Sequence, residues 1–151
     1  MKNSRKGQAQ PYSQNQSYPA NLKDELALSI TIPRLPSAVF GGNSRQHWRI
    51  RYRESLAVYD EVLALVKETG YNEGMLVQPR MEIRWGIPDK RRRDFDNLVA
   101  RTKPFIDGLV KAGVVGDDSI RDFVSDYGWF ESPRKPMTLI KVYRRSDDYN
   151  E

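Results

Sequence analysis

The sequence predicts a single α/β domain in which helices pack on a mixed β-sheet, in the order strand, helix, strand, helix, strand, strand. Three observations support this class. Apolar residues alternate in four short segments, recur every three or four positions in two longer ones, and most segments end at proline or glycine. Because two strands follow each other directly at the end of the chain, the sheet is expected to be mixed rather than wholly parallel.

Four segments have the two-residue period of a strand, whose successive side chains point to opposite faces. The first stops at Pro33, the second runs into Pro88, and the last two are joined through Ser132–Pro136. The predicted strands are 26–32, 81–87, 123–130 and 138–144.

Two segments have the spacing of an amphipathic helix that buries one face. The first stripe ends near Gly70 and the second at Gly113, a residue that often follows the end of a helix. The stripes consist of Tyr52, Leu56, Tyr59, Leu63 and Val66, and of Leu98, Thr102, Phe105, Ile106 and Leu109.

The two ends of the chain differ from the body in composition. Residues 1–24 are rich in Gln, Asn, Ser, Tyr and Pro and poor in aliphatic residues, so we predict a disordered tail. Residues 146–151 form a short acidic segment that we expect to fray. The predicted folded domain is therefore 25–145.

The overall composition narrows the class of protein. The chain has 151 residues, of which 38% are hydrophobic and 30% charged, as in ordinary globular domains. It contains no apolar stretch of membrane-spanning length and no signal-peptide core, so we expect a cytoplasmic protein without a membrane partner. It has no cysteine, which excludes disulfides, thiolate zinc sites and cysteine nucleophiles.

The net charge of the chain bears on the kind of partner that it could bind. The formal net charge is +5 and the sequence pI is about 9.5. Such a surface attracts polyanions, because binding phosphates releases counterions. A nucleic-acid partner and a merely basic protein are both compatible with charge alone.

The segment between Pro88 and Ile120 carries the clearest chemistry. Four cations, Lys90 to Arg93, precede Asp94-Phe95-Asp96. In an extended segment, Asp94 and Asp96 would face one point while Phe95 turned into packing. Two convergent carboxylates require a cation between them, and oxygen ligands favour Mg²⁺ or Mn²⁺. The flanking arginines, Arg91, Arg92 and Arg93, would hold phosphates beside that metal.

Each feature of this segment also has a purely structural explanation. A basic run is usually a solvated face, and it also resembles a localisation signal. Aspartates before a helix often serve as an N-cap and stabilise the helix dipole. Asp117-Asp118 after Gly116 is a common turn sequence. The occurrence of all three within about 30 residues favours the functional interpretation.

For several other polar residues, the sequence is compatible with two different roles. If Thr102 caps a helix that continues through Pro104, Lys103 lies at the positive end of that helix, which suggests a phosphate-binding role. If Pro104 instead lies within one longer helix, that argument weakens. His47 beside Trp48 suits DNA contact or packing better than general-base catalysis. DNA-backbone contact and a solvated helix start are equally compatible with Arg45, Arg49, Arg51 and Arg53.

At this point the sequence resembles the RusA family of Holliday-junction endonucleases, which are mostly bacterial or phage-encoded. The motifs RRRDFDNL and FIDGLVKAGVVGDDS, with Lys103 between them, carry the resemblance. Asn43 and the His47-Trp48-Arg49 segment are consistent with it. The resemblance implies a homodimer that binds branched DNA, requires Mg²⁺, and uses three aspartates and a lysine.

Carried over by motif, the implied metal-binding and catalytic aspartates are Asp94, Asp96 and Asp118. Asp117 would either orient a ligand or be the ligand in place of Asp118. In the shortest members the lysine follows the second aspartate by four residues, where this chain has Ala100. Three extra residues place the match on Lys103 and leave Arg101 as a rival.

The resulting hypothesis is in-line hydrolysis of a DNA phosphodiester at a four-way junction, with one or two Mg²⁺ ions activating water and neutralising phosphate charge. The alternatives are an inactive DNA- or RNA-binding module and a nucleotide phosphotransferase, although the chain has no phosphate-cradling glycine motif. The expected DNA-binding residues are Arg45, His47, Arg49, Arg51, Lys90, Arg91, Arg92, Arg93 and Arg101. Two symmetric cuts in a two-fold junction also favour a two-fold dimer.

Overall fold

The structure, a computed structural model, describes residues 24–42, 44–116 and 124–145. Within these ranges the strands and helices follow the predicted order, and the predicted mixed α/β class is confirmed. The elements are β1 (Glu25–Ile32), α1 (Trp48–Glu68), β2 (Arg80–Ile87), α2 (Phe95–Lys111), β3 (Val124–Glu131) and β4 (Met137–Arg144), with a short 3-10 helix at Ala38–Phe40 between β1 and α1.

The four described strands form one sheet in the order β1-β4-β2-β3. β4 pairs antiparallel with β1 and β2, while β2 and β3 are parallel. Parallel strands need a crossover connection, and α2 supplies it. The first turn of α2 therefore follows the carboxyl end of β2, and its last turn leads back toward the start of β3.

The core lies between the helices and one face of the sheet, because the strands alternate apolar with polar residues. The indole Nε1 of Trp85 donates a hydrogen bond of 3.1 Å to Thr102 Oγ1, which satisfies both buried polar groups. The buried side chains of the sheet include Leu28, Ile30, Ile32, Met81, Ile83, Trp85, Ile140 and Val142, and those of the helices include Val58, Val62, Val66, Leu98, Phe105 and Leu109.

Both long helices begin earlier than their apolar stripes. α1 starts four residues before Tyr52, and α2 starts three residues before Leu98. The stripe predicted for α1 is not its packed face: Tyr52, Leu56 and Leu63 are exposed, and Val58, Val62 and Val66 are buried instead. The stripe predicted for α2 does lie on the core, and the first turn of α2 precedes it, so apolar periodicity does not mark that turn. α2 ends before Gly113, which adopts a φ of 76° that suits glycine.

Some of the predicted segments lie outside the described residues, namely the tail up to residue 23 and residues 146–151. The last residue assigned to the tail, Asp24, is described, and its carboxylate accepts a hydrogen bond of 3.0 Å from Arg80. Among the described helices, none has the length and apolar character needed to cross a bilayer. Val114 and Val115, which follow the end of α2, are fully buried in the core.

Candidate active site

The predicted carboxylate site lies where the chain passes from β2 into α2. The strand ends before Pro88, and the helix begins at Phe95 with Asp94 as its N-cap residue. Asp96 lies in the first turn, where a negative charge stabilises the exposed amide dipoles. The local sequence thus favours a helix start at these aspartates.

The extended conformation predicted for Asp94 to Asp96 is wrong, because Asp96 already belongs to the helix. Phe95, expected to pack inward, is 53% exposed and meets the ring of Trp85 edge-on at 5.7 Å. The expected proximity of the two aspartates nevertheless remains. Both line one open cavity of about 390 Å³, which we call the carboxylate cavity and which Gly42, Asn97 and Ala100 also line.

The fold makes little use of either carboxylate. Asp94 occupies the N-cap position, but its side chain makes no capping hydrogen bond. That side chain is 66% exposed, and its ion pair with Arg92 is long, at 4.0 Å. Asp96 forms no hydrogen bond or ion pair with any residue that the structure describes. Both charges are therefore available to a cation from solvent.

The basic segment before the helix is ordered by Asp89, a residue that the sequence arguments missed. Its carboxylate accepts two hydrogen bonds from the Arg93 guanidinium, at 2.8 and 3.3 Å, and one from the backbone N–H of Arg91 at 3.0 Å. These bonds lower the pKa of Asp89 to about 2. The local signal was an aspartate directly after Pro88 with arginines two and four residues later.

A second cavity of about 290 Å³ adjoins the first, and we call it the arginine cavity. Asp94 and Asn97 line both cavities, which therefore share a wall. The Nε atom of Arg101 is buried and has no hydrogen-bond partner among the described residues. The residues that line the arginine cavity are Arg91, Arg92, Arg93, Asp94, Asn97, Leu98 and Arg101.

The loop after the 3-10 helix packs tightly against α2 at Gly41. A Cβ atom at this position would lie 2.7 Å from Asn97 Oδ1 and 3.1 Å from Arg101 Nε. Any side chain would displace one of these two groups. Gly41 therefore leaves space for both of these groups, which line the arginine cavity, and no local sequence pattern indicates this contact.

Lys103 lies in the interior of one continuous helix, because α2 runs through Pro104. The alternative in which Thr102 caps a new helix is wrong. The Thr102 hydroxyl donates to the Leu98 carbonyl within the helix at 2.7 Å. Lys103 therefore does not lie at the positive end of a helix, and the phosphate-binding role predicted from that position loses its support. Its Nζ atom forms an ion pair of 3.1 Å with Asp107, and Lys103 follows Asp96 by seven residues, two turns along nearly the same face.

The predicted DNA-binding residues near α1 are exposed around the start of that helix. His47 is the N-cap residue, and its Nδ1 atom accepts a hydrogen bond of 3.2 Å from the backbone N–H of Arg49. The Arg49 guanidinium lies 5.4 Å from the ring centre of Trp48. Arg45, Arg49 and Arg51 carry no ion pair with any described residue, so this helix start offers free positive charge.

The third predicted ligand, Asp118, lies outside the described residues, as does Asp117. Within the described ranges, no group of three or more acidic or histidine side chains is close enough to hold a metal ion. The described part of the site thus contributes the pair Asp94 and Asp96, flanked by the arginine cavity.

Comparison with known proteins identifies relatives, although no protein-family model matches the chain. The crossover junction endodeoxyribonuclease RusA of Escherichia coli strain K12 is 35% identical over 96 residues, which are 60% of this chain and 73% of that protein. The protein of the same name from Escherichia coli O139:H28 is 34% identical over 110 residues, 70% of this chain and 82% of that protein. The RusA protein of Enterobacteria phage 82 is 35% identical over 95 residues, 60% and 72% of the two chains. With this identity over more than two thirds of each relative, the chain belongs to the RusA family of crossover junction endodeoxyribonucleases.

Proposed function

We propose that this protein is a metal-dependent endonuclease that resolves four-way DNA junctions by paired phosphodiester cuts during recombination and repair. One observation carries the proposal. Two accessible carboxylates, Asp94 and Asp96, share a cavity beside an arginine-lined cavity. The relatives are named for cleavage of crossover junctions, which supports a phosphodiester of such a junction as the bond that this site would cut.

The described donors fit a hard divalent cation. Asp94 and Asp96 supply carboxylate oxygens that no described residue neutralises closely, and Asn97 lines the same cavity. Such all-oxygen sites suit Mg²⁺, with Mn²⁺ as a substitute. When bound, the ion supplies Lewis-acid activation of water and neutralises charge on the phosphate. Asp94, Asp96 and Asp118 would hold it.

The cations around the site position the DNA strand. Arg91, Arg92 and Arg93 bind phosphates beside the carboxylate cavity, with Arg93 held in place by Asp89. Arg101 also lines the arginine cavity, where its guanidinium contributes a further positive charge. We assign phosphate binding to Arg101 and stabilisation of the reacting phosphate to Lys103, whose side chain projects from the same helix face as Asp96.

A second basic surface, at the start of α1, meets an arm of the junction. It consists of Arg45, His47, Arg49 and Arg51, which are all exposed. Contacts of this kind go to the backbone and carry no sequence information. Substituting these residues should therefore weaken binding to all DNA in a salt-dependent way, without altering the chemistry.

The position of Asp118 in the chain supports a dimeric site. Val115, three residues before it, pairs with Leu76 ahead of β2, at the opposite end of α2 from Asp94. The 17 residues of α2 span about 25 Å, and three residues extend at most about 11 Å. We therefore propose that Asp118 of one subunit completes the site formed by Asp94 and Asp96 of the other.

Mixing two inactive variants tests this arrangement. If the site is shared, a heterodimer of Asp96→Asn and Asp118→Asn keeps one intact site and nicks one strand of the junction. If each subunit carries a whole site, the same heterodimer has none and stays inactive. Each variant alone serves as the control and should not cut.

The proposed activity itself is tested with a synthetic four-way junction, incubated with and without Mg²⁺. The proposal predicts symmetric cuts only with the metal, leaving ends with 5′-phosphates that ligase reseals. A protein that binds the junction tightly but never cuts it, with Mg²⁺ or Mn²⁺, would instead be a binding module and would refute the proposal.

A further inference from the structure

A third cavity adjoins the basic segment, and three aromatic side chains line it together with charged residues. It encloses about 370 Å³ between the carboxyl end of β2, the start of α2 and the edge strand β3. We call it the aromatic cavity. Its lining includes Trp85, Phe95, Trp129, Arg91, Arg93 and Glu131. It shares Phe95 with the carboxylate cavity, but Asp94 and Asp96 do not line it.

The aromatic rings are placed by the parallel pairing of β2 and β3. Trp85 and Trp129 are partners in the register, so their side chains project from the same face of the sheet. Trp85 is 1% exposed and forms the floor, wedged between Tyr127 and Phe95. Trp129 and Phe95 are 47% and 53% exposed and form the sides. Two large rings thus remain open to solvent around a rigid apolar base.

The rim of this cavity is charged and continuous with the proposed active site. Lys90, Arg91 and Arg93 lie at the rim, and the acid Asp89 is already engaged by two of them. Arg91 and Arg93 also line the arginine cavity, which in turn shares Asp94 with the carboxylate cavity. The three cavities therefore follow one another around the first turn of α2.

A cavity with aromatic walls and a cationic rim fits a ligand that has a flat apolar ring and an attached anionic group. A nucleobase with its phosphates has that chemistry, since bases stack on exposed aromatic side chains and guanidinium groups hold the backbone. The carboxylate of Glu131 adds an acceptor for ring N–H or amino groups of a base. A purely apolar ligand would use none of the positive charge at the rim.

We infer that the aromatic cavity receives one unpaired nucleobase of the DNA strand that is cut, stacked between Trp129 and Phe95, with its phosphates over the arginine cavity. The inference rests on the proposed function and adds a source of selectivity to it. A base leaves the stack at least cost where pairing is already interrupted, as at a branch point. Filling the cavity then favours cutting of branched DNA over duplex.

Binding that depends on the bases can be measured without divalent ions, so it tests this inference independently of DNA cleavage. The probes are a short single-stranded oligothymidylate and an oligomer of the same length and charge in which the bases are replaced by abasic residues. In EDTA, the wild-type protein should bind the first more tightly by about tenfold, as for one stacked base. Trp129→Ala should remove that difference, and Trp129→Phe should retain most of it.

The matched control is Phe130→Ala, because Phe130 lies on the same strand but packs near Gly86 on the opposite face. It should leave the difference between the two oligomers unchanged. Equal binding of both oligomers by the wild-type protein, or the same difference in Trp129→Ala and Trp129→Phe as in the wild type, would overturn the inference. Loss of dimerisation in Trp129→Ala, without any base-dependent binding, would also overturn it, since the cavity would then be a subunit contact. Junction cleavage in Mg²⁺ is read separately, so either proposal can fail alone.

Discussion

The N-termini of the two long helices differ in how the N-cap side chain is used, and this difference indicates which of them carries the chemistry. At the start of α1, the N-cap residue His47 accepts a hydrogen bond from a backbone N–H, and the surrounding charges are positive. At the start of α2, the N-cap residue Asp94 makes no such bond, and a second acid follows two residues later. Aspartate is one of the best capping residues, so a cap side chain that does not bond indicates another use for its charge.

The largest expected effect concerns the metal. If the acidic helix start holds a cation, cleavage should require Mg²⁺ or Mn²⁺ and stop completely in EDTA, because the carboxylates alone repel the phosphate. Ca²⁺ should support junction binding without cutting, since its looser coordination positions water poorly. Gel assays of binding and cleavage measure both, and full activity in EDTA would contradict the metal site.

The next effect distinguishes two cations on α2. Lys103→Ala should lower the cleavage rate by about a hundredfold with little loss of junction affinity, as expected for a charge that acts on the reacting phosphate. Arg101→Ala should mainly weaken binding and flatten its salt dependence, because it removes a phosphate contact. Single-turnover rates and binding titrations measure both quantities. The reverse pattern would assign the catalytic role to Arg101.

A smaller effect on the cleavage rate is expected from the basic segment before α2, which Asp89 holds in order. Asp89→Ala releases Arg93 and should lower the cleavage rate by no more than about fivefold, because exposed ion pairs contribute little. The pKa of Asp89 is lowered to about 2, so its bonds to the arginines persist above its usual pKa and weaken only as pH falls toward 2. A rate loss in the wild type between pH 5 and pH 8 that disappears in Asp89→Ala would contradict this.

The smallest functional effect is expected at α1. His47→Ala removes a cap and should lower the free energy of unfolding by about 1 kcal/mol, while the cleavage rate at saturating DNA stays unchanged. Thermal unfolding and single-turnover cleavage provide the two measurements. A large loss of rate in a folded His47→Ala variant would give this histidine a chemical role and remove the contrast between the helix starts.

Local patterns in the sequence predicted the elements but not all of their ends. The strands were predictable because each alternates on a half-buried sheet, as from Leu26 to Ile32. The start of α2 was missed because Asp94, Phe95 and Asp96 precede the apolar stripe that begins at Leu98. An N-cap followed by an acid marks a helix start as well as an extended metal motif, so the same residues allowed both interpretations.

The surroundings of the site depend on contacts between distant segments. Gly41 meets Asn97 and Arg101 across more than fifty residues, and only the folded chain shows that a side chain is excluded there. Trp129 reaches Trp85 through the register of two parallel strands. Parallel pairing follows a crossover whose register no local period specifies, so the aromatic cavity was not predictable from the sequence.

The central claim is that the acidic start of α2 cuts junction DNA, and Asp96→Asn tests it most directly. The substitution removes a charge that no described residue pairs with, so the protein should still fold and lose only the helix-dipole stabilisation of about 0.3–1 kcal/mol. Cleavage of a synthetic four-way junction in Mg²⁺ should fall by at least about a hundredfold, while junction binding remains equal or becomes tighter. A folded Asp96→Asn protein that cuts the junction at a rate near that of the wild type would contradict the account.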